Sequence, residues 1–150
     1  MYDGGQARQV VVVGVDGSAE SIAALNWASD YATAMGAMVR AVLVWQHPAA
    51  VGQGPVGLAP GAVTEEVEQR MLGDLAEHVA KVAQDPPAAR IETRVIYGHP
   101  AQVLIDESAD ASLLVVGSRG HGAFTGMLVG SVSIHCVTSA SCPVVVVRGR

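Results

Sequence analysis

The stretch of this sequence best equipped for chemistry is Gly117-Ser118-Arg119-Gly120-His121-Gly122-Ala123-Phe124-Thr125-Gly126-Met127-Leu128-Val129-Gly130-Ser131. Its pattern places it between a buried strand and a helix, where a doubly wound sheet puts its ligand. Glycines at such a turn leave main-chain N–H groups open to an anion, because no Cβ stands in the way. Gly130-Ser131 would open the next helix, whose unpaired N–H groups and positive dipole end suit a phosphate. Ser131 and Ser133 could add hydroxyl donors, and Arg119 a fixed positive charge. His121 reads either as a phosphate contact or as a solvated loop residue. A second candidate is Asp16, directly after the first strand. If strands one and four are neighbours, Asp16 and Gly117 end at one crevice. The carboxylate could then hold Mg²⁺ on the phosphates or bond a ribose hydroxyl, besides serving the turn.

Several chemistries are excluded. Lys81 is the sole lysine, so no Walker or Schiff-base lysine stands near the glycine-rich turn. The net charge of −5 argues against a nucleic-acid binder, which needs a basic face to neutralise phosphates. Cys136 and Cys142 read as small apolar core residues, since no further Cys or His completes a zinc set at useful spacing. His99, next to Pro100, reads as turn chemistry, and His47, His78 and His135 show no ligand pattern. No apolar run approaches the roughly 18 residues that cross a bilayer. Met1 to Arg8 is polar and lacks a signal-peptide core. A soluble cytoplasmic protein is expected.

The elements that must position this site follow from periodicity. At 150 residues the chain suits one domain with its own core. Half the residues are hydrophobic and only 4% aromatic, so Val, Leu, Ile and Ala must fill that core. Gln9 to Val15 is Val-rich without polar alternation, as in a strand buried on both faces. Asp16-Gly17-Ser18 breaks it, and Ser18 or Asp16 caps a helix over Ala19 to Met35 that Gly36 ends. Leu25, Ala28, Ala32 and Met35 recur on one face of it at helical spacing.

Strand two is expected over Met38 to Trp45, and an amphipathic helix over Val63 to Gln84, ended by Asp85-Pro86-Pro87. Arg90 to Tyr97 alternates like an edge strand with one face partly wet. A short helix follows Gly98-His99-Pro100 to Ser108. Ser112 to Val116 is a buried strand, Gly130 to Ser139 a helix and Pro143 to Arg148 the last strand. Five strands with helical crossovers predict an α/β, doubly wound, Rossmann-like parallel sheet with helices on both faces. Residues 1–8 are expected to be a flexible N-terminus, 9–150 one domain, and 47–61 a functional lid or a flexible loop.

The spacing Gly117, two residues, Gly120, nine residues, Gly130-Ser131 resembles that of the nucleotide-binding members of the universal stress protein family, with no departure. Val11-Val12-Val13-Gly14-Val15-Asp16-Gly17-Ser18, Gly98-His99-Pro100 and Cys142-Pro143-Val144 extend the likeness from Gln9 to Arg148. The resemblance implies strand order 3-2-1-4-5, ATP as ligand, often with Mg²⁺ or Mn²⁺, and a homodimer through the last strand, Val144, Val145, Val146 and Val147. It implies nucleotide contacts at Gly14, Val15, Asp16, Val44, Gly117, Arg119, Gly120, Gly130, Ser131, Val132 and Ser133. Trp45, beside Val44, is either an adenine wall or a core aromatic. The function implied is a stress-response regulator or sensor working through nucleotide occupancy. The alternatives are a cyclic AMP-binding module, a slow ATPase or nucleotide-dependent transferase, and an interaction protein with an empty crevice. A flavodoxin is set aside because its phosphate loop is hydroxyl-rich where Asp16-Gly17-Ser18-Ala19-Glu20 is acidic. A response-regulator receiver is set aside for want of its acidic pair and lysine.

Overall fold

A computed structural model describes residues 9–46, 64–82, 89–120 and 129–149. Residues 1–8, the 47–61 loop, Asp85-Pro86-Pro87 and His121 lie outside the described residues. In chain order the elements are β1 (Val10–Gly14), α1 (Ala19–Met35), β2 (Met38–Trp45), α2 (Thr64–Val82), β3 (Ile91–Tyr97), α3 (Pro100–Glu107), β4 (Leu113–Gly117), α4 (Ser131–Ser139) and β5 (Val144–Val147). The strands form one parallel sheet in the order β3-β2-β1-β4-β5. This is the doubly wound order expected, and it makes β1 and β4 neighbours.

The Val-rich runs explain the centre of that sheet. Val11, Val12 and Val13 are all fully buried. Alternation sends Val11 and Val13 into a core with Ala24, Leu25, Ala28 and Ala32 of α1 and Leu75 of α2. Val12 joins Leu114, Leu104 of α3 and Cys136 of α4 on the opposite face. Full burial contributes about 1.5–3 kcal/mol per valine, more than the roughly 1 kcal/mol of a good helix cap. Two-sided burial of the central strand therefore sets the layering.

The helix signals act locally as read. Ser18 is the N-cap of α1 and accepts from the Ser21 N–H, whereas Asp16 holds the cap residue rather than the helix. Gly36 ends the helix at φ 67°, a left-handed conformation that glycine adopts without cost, and Ala37 N–H reaches back to the Ala32 carbonyl. Met35 shares the face of Leu25, Ala28 and Ala32 without their burial. It lies on the buried arc but is the last helical residue, next to the turn, and is 54% exposed.

The β2–β3 edge carries an ion-pair cluster. Arg40 and Glu92 are register partners, with Nε 3.5 Å from Oε2. Arg94 bridges Glu92 and Glu107, the latter at 2.9 Å. Arg40 also donates to the Glu107 main-chain carbonyl, 3.3 Å away at the end of α3, where a cation suits the helix dipole. Burial works to raise the Glu92 carboxyl, but hydrogen bonds and charges from Arg94 and Arg40 outweigh it, and the group titrates below its ordinary value. The half-wet face read for this strand is this cluster.

Candidate functional site

The Ser18 cap and the short β1–α1 link place Asp16 just past the end of β1. Its Oδ1 accepts from the Ser18 N–H at 2.9 Å and from the Ser18 hydroxyl. Oδ2 lies against Gly120, so close that a Cβ at position 120 would overlap it. The two residues are 104 positions apart and meet because β1 and β4 are hydrogen-bonded neighbours ending at the same edge.

At that edge opens a pocket of about 410 Å³, within the ~300–1,000 Å³ typical of small-molecule sites. Gly14, Val15 and Asp16 line it from β1 and its loop, and Val44 from β2. Gly117, Arg119 and Gly120 come from the end of β4, and Gly130, Ser131, Val132 and Ser133 from the start of α4. All eleven residues singled out from the sequence thus border one cavity. Trp45 does not line it. Strand alternation turns it to the other face from Val44, where it packs edge-on against Tyr97 with ring centroids 4.9 Å apart. It is the core aromatic of the two readings.

The α4 end of the pocket is built for an anion. Gly130 is the N-cap and has no side chain to accept from the helix. The N–H groups of Ser131, Val132 and Ser133 precede the first helical bond, from Ile134 N–H to the Gly130 carbonyl at 3.0 Å. Gly130 N–H itself donates to Ser118 O at 2.6 Å, closing the turn back onto β4. Ser133 differs from its expected part. Its buried hydroxyl donates to the Gly117 carbonyl, so that proton ties α4 to β4 and is not available to a ligand. Ser131 is exposed at the helix start.

Gly117 also has a packing reason. A Cβ there would stand 2.8 Å from the Glu20 backbone, so its absence lets α1 approach β4. Gly14 plays the same part for Leu104, whose Cδ1 would be 2.9 Å from a Cβ on residue 14.

Five lining residues escaped sequence reasoning: Ser21, Val42, Pro100, Leu104 and Val116. The strand valines and α3 supply an apolar wall that no local pattern distinguishes from ordinary core. Ser21 carries no distinguishing mark either, being a lone serine in the first turn of α1.

The described lining thus pairs an apolar wall with one carboxylate, one guanidinium, serine hydroxyls and a helix N-terminus. No group of three His, Cys, Asp or Glu side chains able to hold a metal occurs among the described residues. Fold and pocket together define a doubly wound α/β domain whose crevice suits a ligand that is apolar at one end and anionic at the other.

The chain belongs to the universal stress protein family, whose profile matches residues 7–148. A universal stress protein of Mycolicibacterium smegmatis is 40% identical over 146 residues, covering 96% of this chain and 47% of the relative. The chain spans about half the length of the curated relatives it matches. Among solved structures, a universal stress protein in complex with cAMP superposes with a TM-score of 0.66 at 26% identity, covering 95% of this chain and 98% of the other. The Archaeoglobus fulgidus universal stress protein in complex with dAMP gives a TM-score of 0.58 at 21% identity, over 93% and 97% of the two chains. That second likeness speaks for the fold. No helix among the described residues is long and apolar enough to cross a membrane.

Proposed function

We propose that this chain is an ATP-binding regulatory domain of the stress-response type, acting through nucleotide occupancy and pairing of two copies rather than through catalysis. The observation that carries the reading is the convergence of β1, β2, β4 and the α4 N-terminus on one cavity that combines an apolar wall with N–H donors. The base would lie against Val42, Val44 and Leu104, and the phosphates against Gly120, Arg119, Gly130, Ser131 and the Val132 N–H. Ser133 contributes its main chain, its hydroxyl being engaged.

Mg²⁺ fits this arrangement. One carboxylate, Asp16, cannot hold the ion alone, but Mg²⁺ commonly joins one or two carboxylates to phosphate oxygens and water. Phosphoryl transfer needs a base or a positioned water as well as charge clamps. Among the described lining residues the only carboxylate is the one assigned to metal or ribose. A cytoplasmic location and a homodimer through β5 complete the reading. Val144 to Val147 form an edge strand whose pairing among the described residues is to β4 alone, and an apolar open edge favours a second strand.

A cyclic AMP reading is favoured by the cAMP complex of the 26%-identical relative. Calorimetric titration with ATP, with and without Mg²⁺ and in competition with cyclic AMP, separates the two. Micromolar ATP binding strengthened by Mg²⁺ is expected. Binding of cyclic AMP alone would replace the ATP reading, and binding of neither would remove both.

A further inference from the structure

Ser21 is 4% exposed, yet it belongs to the pocket lining. Its Oγ accepts from the Asp16 N–H at 3.2 Å and donates to the Ser18 carbonyl at 3.0 Å. Its own N–H donates to Ser18 Oγ at 3.2 Å. Ser18 in turn gives both its N–H and its hydroxyl proton to Asp16 Oδ1. The three residues therefore form a closed loop of hydrogen bonds. It spans the link from Val15, whose N–H donates to the Val42 carbonyl, to the start of α1, with Gly17 at φ 86°. Within the loop Oδ1 is engaged by Ser18, and Oδ2 is the oxygen set against Gly120.

We propose that Ser21 is a positioning residue for the nucleotide pocket: through the Asp16 main chain it holds the carboxylate at the Gly120 turn before ligand arrives. A capping role alone would need only the Ser21 N–H, which every residue but proline supplies. The hydroxyl adds a bond that runs backward to Asp16, outside the helix. Losing it frees the Asp16 N–H and lets the link between β1 and α1 turn about Gly17. The carboxylate is then less firmly placed before ligand binds, and affinity falls by the cost of restoring that order. This inference rests on the nucleotide reading above.

The test is a double-substitution cycle in ATP affinity, measured with Mg²⁺ on folded protein, joined to amide exchange on the nucleotide-free chain. Alanine is the best helix former, so Ser21→Ala retains α1. Ser21→Ala is expected to weaken ATP about fivefold, in line with one lost hydrogen bond. Asp16→Asn is expected to weaken it about tenfold, and the double variant no more than Asp16→Asn alone, because coupled residues are not additive. Exchange at the Asp16 amide should accelerate in Ser21→Ala while the β1 amides keep their protection. Unchanged affinity, losses that multiply in the double variant, or unchanged Asp16 exchange would each overturn the proposal. Should the parent chain bind no nucleotide, the ATP reading fails by itself, and the exchange result still decides whether Ser21 holds Asp16.

Discussion

The Asp16 carboxylate rests on Gly120 so tightly that no side chain fits between them. This contact joins the ends of β1 and β4 and sets where a charged group stands in the crevice. A methyl at 120 must push Oδ2 away, while Arg119 and Gly120 are themselves exposed. Gly120→Ala is therefore expected to lower ATP affinity at least about tenfold with thermal stability within about 0.5 kcal/mol of the parent, as for other surface changes. Paired calorimetry and thermal melts check it.

The glycines of the motif are not equivalent. Among the described residues a Cβ at Gly130 finds its nearest neighbour at 3.5 Å, ordinary contact, whereas one at Gly117 meets the Glu20 backbone at 2.8 Å. Gly117→Ala should destabilise by about 1–3 kcal/mol, the cost of overpacking, while Gly130→Ala leaves the melting temperature close to the parent and acts on binding. Equal melting temperatures for the two would contradict this packing account.

Gly14 and Leu104 should show compensation. Gly14→Ala forces its new methyl onto Leu104 Cδ1, and Leu104→Ala leaves a cavity costing about 2–5 kcal/mol. Combined, the methyl occupies part of the vacated space, so the double variant should be more stable than the sum of the single losses. Urea denaturation of all four proteins gives the coupling.

Acid should weaken the β2–β3 edge. The Glu92 carboxyl is lowered in the folded chain by its arginine partners, against burial. Its contribution is present above the unfolded carboxylate range and is lost as pH falls through the lower folded value. In Glu92→Gln that part of the acid dependence should disappear, read as a flatter stability curve below pH ~5.

The two thiols should differ in reactivity. Burial, and then the neighbouring Cys142, pushes the Cys136 thiol up from 9.0 to about 11. Cys136 is fully buried and Cys142 partly exposed. A disulfide reagent at pH 8 is expected to label Cys142 in the native protein and Cys136 only on unfolding, since the thiolate is the nucleophile. The raised Cys136 value also makes its contribution full below pH 9 and lost as pH rises through about 11.

Much of the architecture was legible because it is written in short-range pattern. Uninterrupted valines mark strands covered on both faces, Ser18 and Gly36 start and stop α1, and helices between the strands require a parallel sheet. The glycine-serine spacing pointed to an anion cradle because a turn without Cβ atoms, followed by a helix start, is a local device.

Contacts between distant segments were decided only by the folded chain. That Gly117 serves α1 packing, that the Ser133 hydroxyl is taken by the Gly117 carbonyl, and that Leu104 reaches Gly14 all depend on elements far apart in sequence. Met35 obeys the helical period yet stays exposed, because period specifies a face and not what covers it. Strand adjacency is likewise a property of the whole sheet, and it brings Asp16 to Gly120. Residue type and spacing prescribed the groups; which of them meet was settled by how the layers pack.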